Sequence, residues 1–119
     1  MINGAHTIIH AADPEAAREF FRDVLGLAHV DAGHGWLIFR SPPAELAVHP
    51  AEAPDSGRCE LYLMCDDLTA TVEELRAKGV EFTGEVTQER WGLRTALIVP
   101  GAGPIGLYQP THEIAHSIE

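Results

Sequence analysis

His112-Glu-Ile-Ala-His116 has the HExxH spacing, which on a helix places two imidazoles on one face to hold zinc and leaves the intervening Glu as a base. That chemistry needs a helix and a third ligand from elsewhere, whereas this motif follows Pro110 directly with no scaffold after it. In a chain with seven His and twelve Glu such a match is expected by chance about once in twenty-five chains, and zinc proteolysis is not expected. Cys59 and Cys65 lie in one extended run that separates their Cα atoms by roughly 20 Å, beyond disulfide reach. They also miss the CxxC spacing of structural zinc, so both are expected to be reduced thiols. No phosphate-binding glycine loop and no Ser-His-Asp arrangement is recognisable.

A second group of chemistry-bearing side chains emerges from an internal repeat. His6 to Leu25 reads as a strand, an Asp cap and an amphipathic helix, and the same order returns from Glu60 to Lys78, with Asp13 matched by Asp67. His6 and Glu60 each stand seven residues before their Asp and therefore occupy equivalent places. Strand side chains alternate between faces. If Thr7, Ile9, Leu46, Val48, Leu61 and Leu63 pack beneath the helices, then His6, Ile8, His10, Glu45, Ala47, His49, Glu60 and Tyr62 face the other way. A sheet face carrying that many His, Glu and Tyr side chains is either a solvated surface or a ligand cleft. Trp36 and Trp91 are expected in the core or in a cleft wall, where flat aromatic surfaces suit a small ligand.

The elements that must hold these residues follow from punctuation and period. Asp13-Pro14 supplies a cap and a first-turn proline. Ala17, Phe20, Phe21, Val24 and Leu25 form one apolar stripe, and Gly26 supplies the stop. Strands are expected near 5–12, 27–31, 36–40 and 45–49, with 50–57 as a linker. The second half repeats the order: strand 59–65, cap Asp67, a helix with Leu68, Val72 and Leu75 inward, Gly79 as stop, then strands near 80–83, 94–99 and 105–109. The tail from Pro110 has no apolar period and is expected to wrap the surface or fray. The expected fold class is α+β, a single domain over 1–119 built from two βαβββ modules, 1–57 and 58–119, whose paired sheets form an open cleft.

At 119 residues and 45% apolar composition the chain can bury one core, though either half alone is marginal, so the halves must share one. A net charge of −10 opposes binding to nucleic acid or anionic lipid. No apolar run approaches the ~20 residues needed to span a bilayer, and no signal-peptide pattern opens the chain, so a cytoplasmic location is expected.

Four phrases carry a resemblance to a known family: His6-Thr-Ile-Ile ahead of Asp13, Phe20-Phe21-Arg22-Asp23-Val24-Leu25-Gly26-Leu27, Trp91-Gly92 and Ile105-Gly106-Leu107-Tyr108. Together they resemble the vicinal oxygen chelate superfamily, which includes glyoxalase I, fosfomycin and bleomycin resistance proteins and extradiol dioxygenases. The resemblance runs to about Pro110 and implies a homodimer whose paired modules curl around a cleft for a small molecule. Metal-using members take ligands from the first and last strand of each module. Carried over, the first-strand positions are His6 and Glu60, whereas the last-strand positions are Gly106 and Ala47, neither of which can ligate. The phrase before the final strand also departs, as Pro100-Gly-Ala-Gly-Pro. Glu45 and His49 flank Ala47 on its own face, so the resemblance implies a permuted set of His6, His49 and Glu60 suited to Fe, Mn, Ni or Zn. Tyr62 or Tyr108 would then hydrogen-bond or protonate the substrate. Two functions are implied: a metal-dependent lyase, isomerase or dioxygenase acting on an oxygen-chelating substrate, and a metal-free drug-binding protein of the bleomycin resistance type.

Overall fold

The computed structural model describes residue 1 and residues 3–117. Asp13 caps the first helix by accepting a hydrogen bond from the Ala16 amide at 3.1 Å, with Pro14 in the first turn. This helix, α1 (Pro14–Glu19), continues as a π-helical turn over Phe20–Val24 instead of running as one α-helix to Leu25. In that turn the Leu25 amide reaches back to the Phe20 carbonyl, and Phe20 and Phe21 are both buried with their rings edge to face. Gly26 ends the element in the left-handed region at φ 67°, as a helix stop requires.

A hairpin of β1 (His29–Asp31) and β2 (Leu37–Phe39) follows. The Asp31 carboxylate accepts from the amides of Gly33 and Gly35 and so closes the turn. The second half begins with β3 (Tyr62–Met64) and α2 (Leu68–Ala77). The start of α2 is fixed twice: Asp67 accepts from the Ala70 amide at 3.0 Å, and the Gln109 side chain accepts from the Leu68 amide at 2.9 Å. Then come β4 (Thr87–Glu89), β5 (Gly92–Val99) and β6 (Gly103–Pro110). The larger sheet has the order β3-β6-β5-β4, with β3 parallel to β6 and the other neighbours antiparallel.

One core serves both halves. Ala17, Phe20 and Phe21 from the first join Leu68, Val72, Leu75, Leu97, Val99, Ile105 and Leu107 from the second in a single cluster, with Leu68, Leu97 and Val99 fully buried. Apolar area removed from water drives this sharing. At Gly101 the chain passes so close to Asp13 that a Cβ would overlap the Asp13 carbonyl, and the Asp13 amide donates to the Gly101 carbonyl at 2.9 Å. The first cap is thereby tied to the β5–β6 turn.

The α+β class and its paired halves are as expected, but the strands differ in detail. Residues 5–12 and 45–49 form no strand, so the first half carries two paired strands where four are expected. Leu46 and Val48, expected beneath a helix, are 95% and 92% exposed, and Thr7 and Ile9 are also at the surface. Leu61 and Leu63 do pack against the core. Residues 80–83 make only a single bridge, Phe82 to Leu97, and the sheet edge is instead β4, whose Thr-Gln-Glu sequence has no apolar signal. Trp36 is 63% exposed beneath the Arg18 guanidinium, outside both core and cleft.

Candidate functional site

The alternation along β3 and β6 sends Leu63 and Leu107 into the core and Tyr62, Gly106 and Tyr108 to the opposite face, which no helix covers. Trp91, in the turn between β4 and β5, completes that face. The three rings interlock edge to face, with centroids 6.0 Å apart for Tyr62 and Trp91, 5.6 Å for Tyr62 and Tyr108, and 5.3 Å for Trp91 and Tyr108. Positive ring edges against negative faces favour this geometry. Register explains why they meet: Tyr62 lies beside Gly106 in the parallel pair, and a Cβ at 106 would overlap the Tyr62 ring. Glycine there leaves the space the tyrosine occupies.

Polar groups rim the rings. Arg94, opposite Tyr108 on β5, donates to the Tyr62 hydroxyl at 3.1 Å and lies 3.5 Å from a Glu89 carboxylate oxygen. The Tyr108 hydroxyl donates to Glu45 Oε1 at 3.3 Å, while the other Glu45 oxygen accepts from the Ala115 amide. His112 Nε2 stands 3.9 Å from Glu45 and 3.5 Å from the Tyr108 hydroxyl. Although its neighbours in sequence are exposed, the Glu45 side chain is only 14% exposed. The Ala115 amide, above all, holds its carboxyl below the ordinary range, with His112, Tyr108 and His116 adding to the effect. Burial, then the Glu45 charge, pushes the Tyr108 phenol upward and keeps it a hydrogen-bond donor at neutral pH. Beside Trp91 lies an open depression of about 480 Å³ walled by Arg90, Thr111 and His112.

Tyr62 and Tyr108 thus stand together, whereas the other residues singled out from sequence do not join them. His6 and His49 are exposed on stretches without strand partners, and exposed Glu60 pairs with the Arg58 guanidinium at 2.8 Å. Among the described residues no group of three or more His, Cys, Asp or Glu side chains could hold a metal ion. As a donor set two imidazoles and a carboxylate suit a divalent metal. The β6 position offers none, because Gly106 has no side chain, and the Tyr62 ring occupies the space a side chain there would take. Both cysteines are free thiols. Arg94 was missed, and although alternation set Glu45 on the face of Tyr62 and His112 belongs to the HExxH phrase, nothing in the sequence joined the two, because they meet through a loop and a tail with no periodic signal.

The chain matches the family model for the Glyoxalase/Bleomycin resistance protein/Dioxygenase superfamily over residues 5–100. It belongs to that superfamily, whose members bind small molecules, often as dimers, and commonly use divalent metals. Among individual proteins, it is 26% identical over 95 residues to the uncharacterized protein YetH of Bacillus subtilis (strain 168), covering 71% of this chain and 78% of that protein. It resembles TnmS3, an antibiotic binding protein from Streptomyces sp. CB03234, with a TM-score of 0.64, 26% identity and coverage of 93% of this chain and 99% of the other. A lactoylglutathione lyase from Agrobacterium tumefaciens matches with a TM-score of 0.64, 18% identity and coverage of 90% and 92%, a likeness of fold alone. Among the described residues, no helix is long and apolar enough to cross a membrane.

Proposed function

We propose that this chain binds a planar, antibiotic-like small molecule on the face built by Tyr62, Trp91 and Tyr108, with no metal ligand drawn from β6. The observation that carries this reading is the Tyr62 ring seated over Gly106: a carboxylate side chain has no room there, whereas interlocked ring edges and faces suit a flat compound. The likeness to an antibiotic binding protein over nearly the whole of both chains supports the same ligand class. The charge of −10 favours a cationic or neutral compound over an anionic one. The test is titration with doxorubicin, a planar cationic antibiotic, followed by calorimetry. Trp91→Ala and Tyr108→Ala are expected to weaken binding about tenfold or more, and equal affinity in parent and variants would sink the proposal.

A metal-dependent reading rests on His6, His49 and Glu60, which stand accessible at or near the unpaired stretches of the first half and beside β3. In it these three hold Fe, Mn, Ni or Zn, which as a Lewis acid would activate an oxygen-chelating substrate for lyase, isomerase or dioxygenase chemistry. Tyr108, held protonated, donates a hydrogen bond to that substrate, with Tyr62 beside it. Metal analysis of untagged protein against a His6→Ala, Glu60→Ala variant separates the readings: stoichiometric metal lost in the variant supports the enzyme. A homodimer accompanies either reading, because the first-half stretches outside the strands expose large apolar side chains, Ile8, Leu46 and Val48 among them. The accessible free thiol of Cys59 fits a cytoplasmic setting.

A further inference from the structure

The tail after β6 does something that neither the fold nor the binding reading requires. Past Pro110 it continues along the Trp91 edge, with the Thr111 amide donating to the Trp91 carbonyl at 3.0 Å and the Thr111 hydroxyl to the Arg90 carbonyl at 3.5 Å. The His112 ring then lies against Tyr108, centroids 6.2 Å apart, and walls the depression beside Trp91. Three residues further on, the Ala115 amide donates to Glu45, across a separation of 70 residues. That one carboxylate accepts from Ala115 and Tyr108 and faces His112, while Leu46 beside it is 95% exposed. No apolar packing draws Glu45 inward; its hydrogen bonds do. A charge-assisted bond from a backbone amide is among the stronger local contacts available to an otherwise loose segment.

We propose that residues 111–117 are a strap latched by Glu45, running along the Trp91 backbone and against the Tyr108 ring, and that a ligand for this face binds only after the latch opens. The latter half rests on the aromatic face being the binding surface; the strap itself does not. The latch bonds the first half directly to the tail, so opening it uncovers the rings without disturbing the shared core. Binding that requires an open minority state is weakened by the fraction open, and loosening the latch therefore raises apparent affinity.

Acrylamide quenching in a Trp36→Phe background, where emission reports Trp91 alone, tests the strap without any ligand. Ala115→Pro removes the donated N–H at an exposed position and leaves the Glu45 charge in place, while Glu45→Ala removes the acceptor. Both are expected to raise the quenching constant about twofold and to speed exchange of the amides at 111–114. Nile red, a neutral planar dye, is then expected to bind both variants several-fold more tightly than the parent. Unchanged quenching and exchange in both variants would overturn the strap, and faster quenching with unchanged dye affinity would overturn its role in access. Should the dye bind no form of the protein while quenching rises, the strap stands and the aromatic binding face fails.

Discussion

At the scale of single residues, Gly106 decides more than any charged group. The resemblance sets it at a last-strand ligand position of metal-using members, and here the Tyr62 ring takes the volume a side chain would fill. Gly106→Ala must push that ring aside, breaking its contacts with Trp91 and Tyr108 and its bond from Arg94. Overpacking of this kind costs about 1–3 kcal/mol, so a lower denaturation midpoint with an altered near-ultraviolet aromatic signal is expected. A midpoint and signal identical to the parent would show that the ring is not held there. Glu45 provides a second residue-scale prediction. Its carboxyl is held below the ordinary value of 4.5 by the Ala115 amide, His112, Tyr108 and His116, so the latch is complete above that value and is lost as pH falls through the lowered one. In a His112→Asn, His116→Asn background Trp91 quenching should stay level from neutral pH to about 5 and rise only below the ordinary carboxylate range. A rise already at pH 6 would assign the latch to another group.

At the scale of elements, capping and burial decide what the sequence could announce. Asp13 and Asp67 were legible because a cap needs only its own helix, and both make the expected bond to the third amide onward. Asp67→Ala should lower stability by about 1 kcal/mol, read as a shift in the urea midpoint, although the Gln109 bond to the Leu68 amide remains and softens the loss. Leu97→Ala, at a fully buried position in the middle of β5, should cost about 2–5 kcal/mol by leaving a cavity in the core both halves share. Tyr62 was legible too, since strict alternation puts it opposite Leu63, whereas Tyr108 was implied by the family phrase Ile105-Gly106-Leu107-Tyr108. What stayed hidden lacks any period. The Thr-Gln-Glu edge strand β4 is defined by its partner β5, the π-helical turn after Glu19 by two adjacent buried phenylalanines, and the Glu45 contacts by a loop meeting a tail. The metal set of His6, His49 and Glu60 rests on family position alone, which fixes places along the chain and not where three side chains meet.

At the scale of the whole molecule, the two halves are unequal although their sequences repeat. The second closes a four-stranded sheet in which its first and last strands, β3 and β6, lie side by side, whereas the equivalent first-half stretches, 5–12 and 45–49, join no sheet among the described residues. The large exposed apolar side chains fall in that same half, Ile8, Val30, Trp36, Leu46 and Val48 foremost. The radius of gyration, 15.2 Å, exceeds the roughly 13.5 Å expected of a compact domain of this length. Unsatisfied strand edges and apolar surface are together a template for association, and a second copy offers the same edges with the matching hydrophobicity. In the proposed dimer Leu46 and Val48 would leave solvent, so a Leu46→Asp, Val48→Asp double variant would place two charges in that interface while costing the single chain almost nothing. Sedimentation velocity of the parent should give a dimer and of the variant a monomer with an unchanged far-ultraviolet circular dichroism spectrum. A parent that sediments as a monomer at tens of micromolar, with Leu46 and Val48 amides exchanging at the rate of an unstructured chain, would mean that the open first half is the protein's resting form and that the cleft is built from one chain alone.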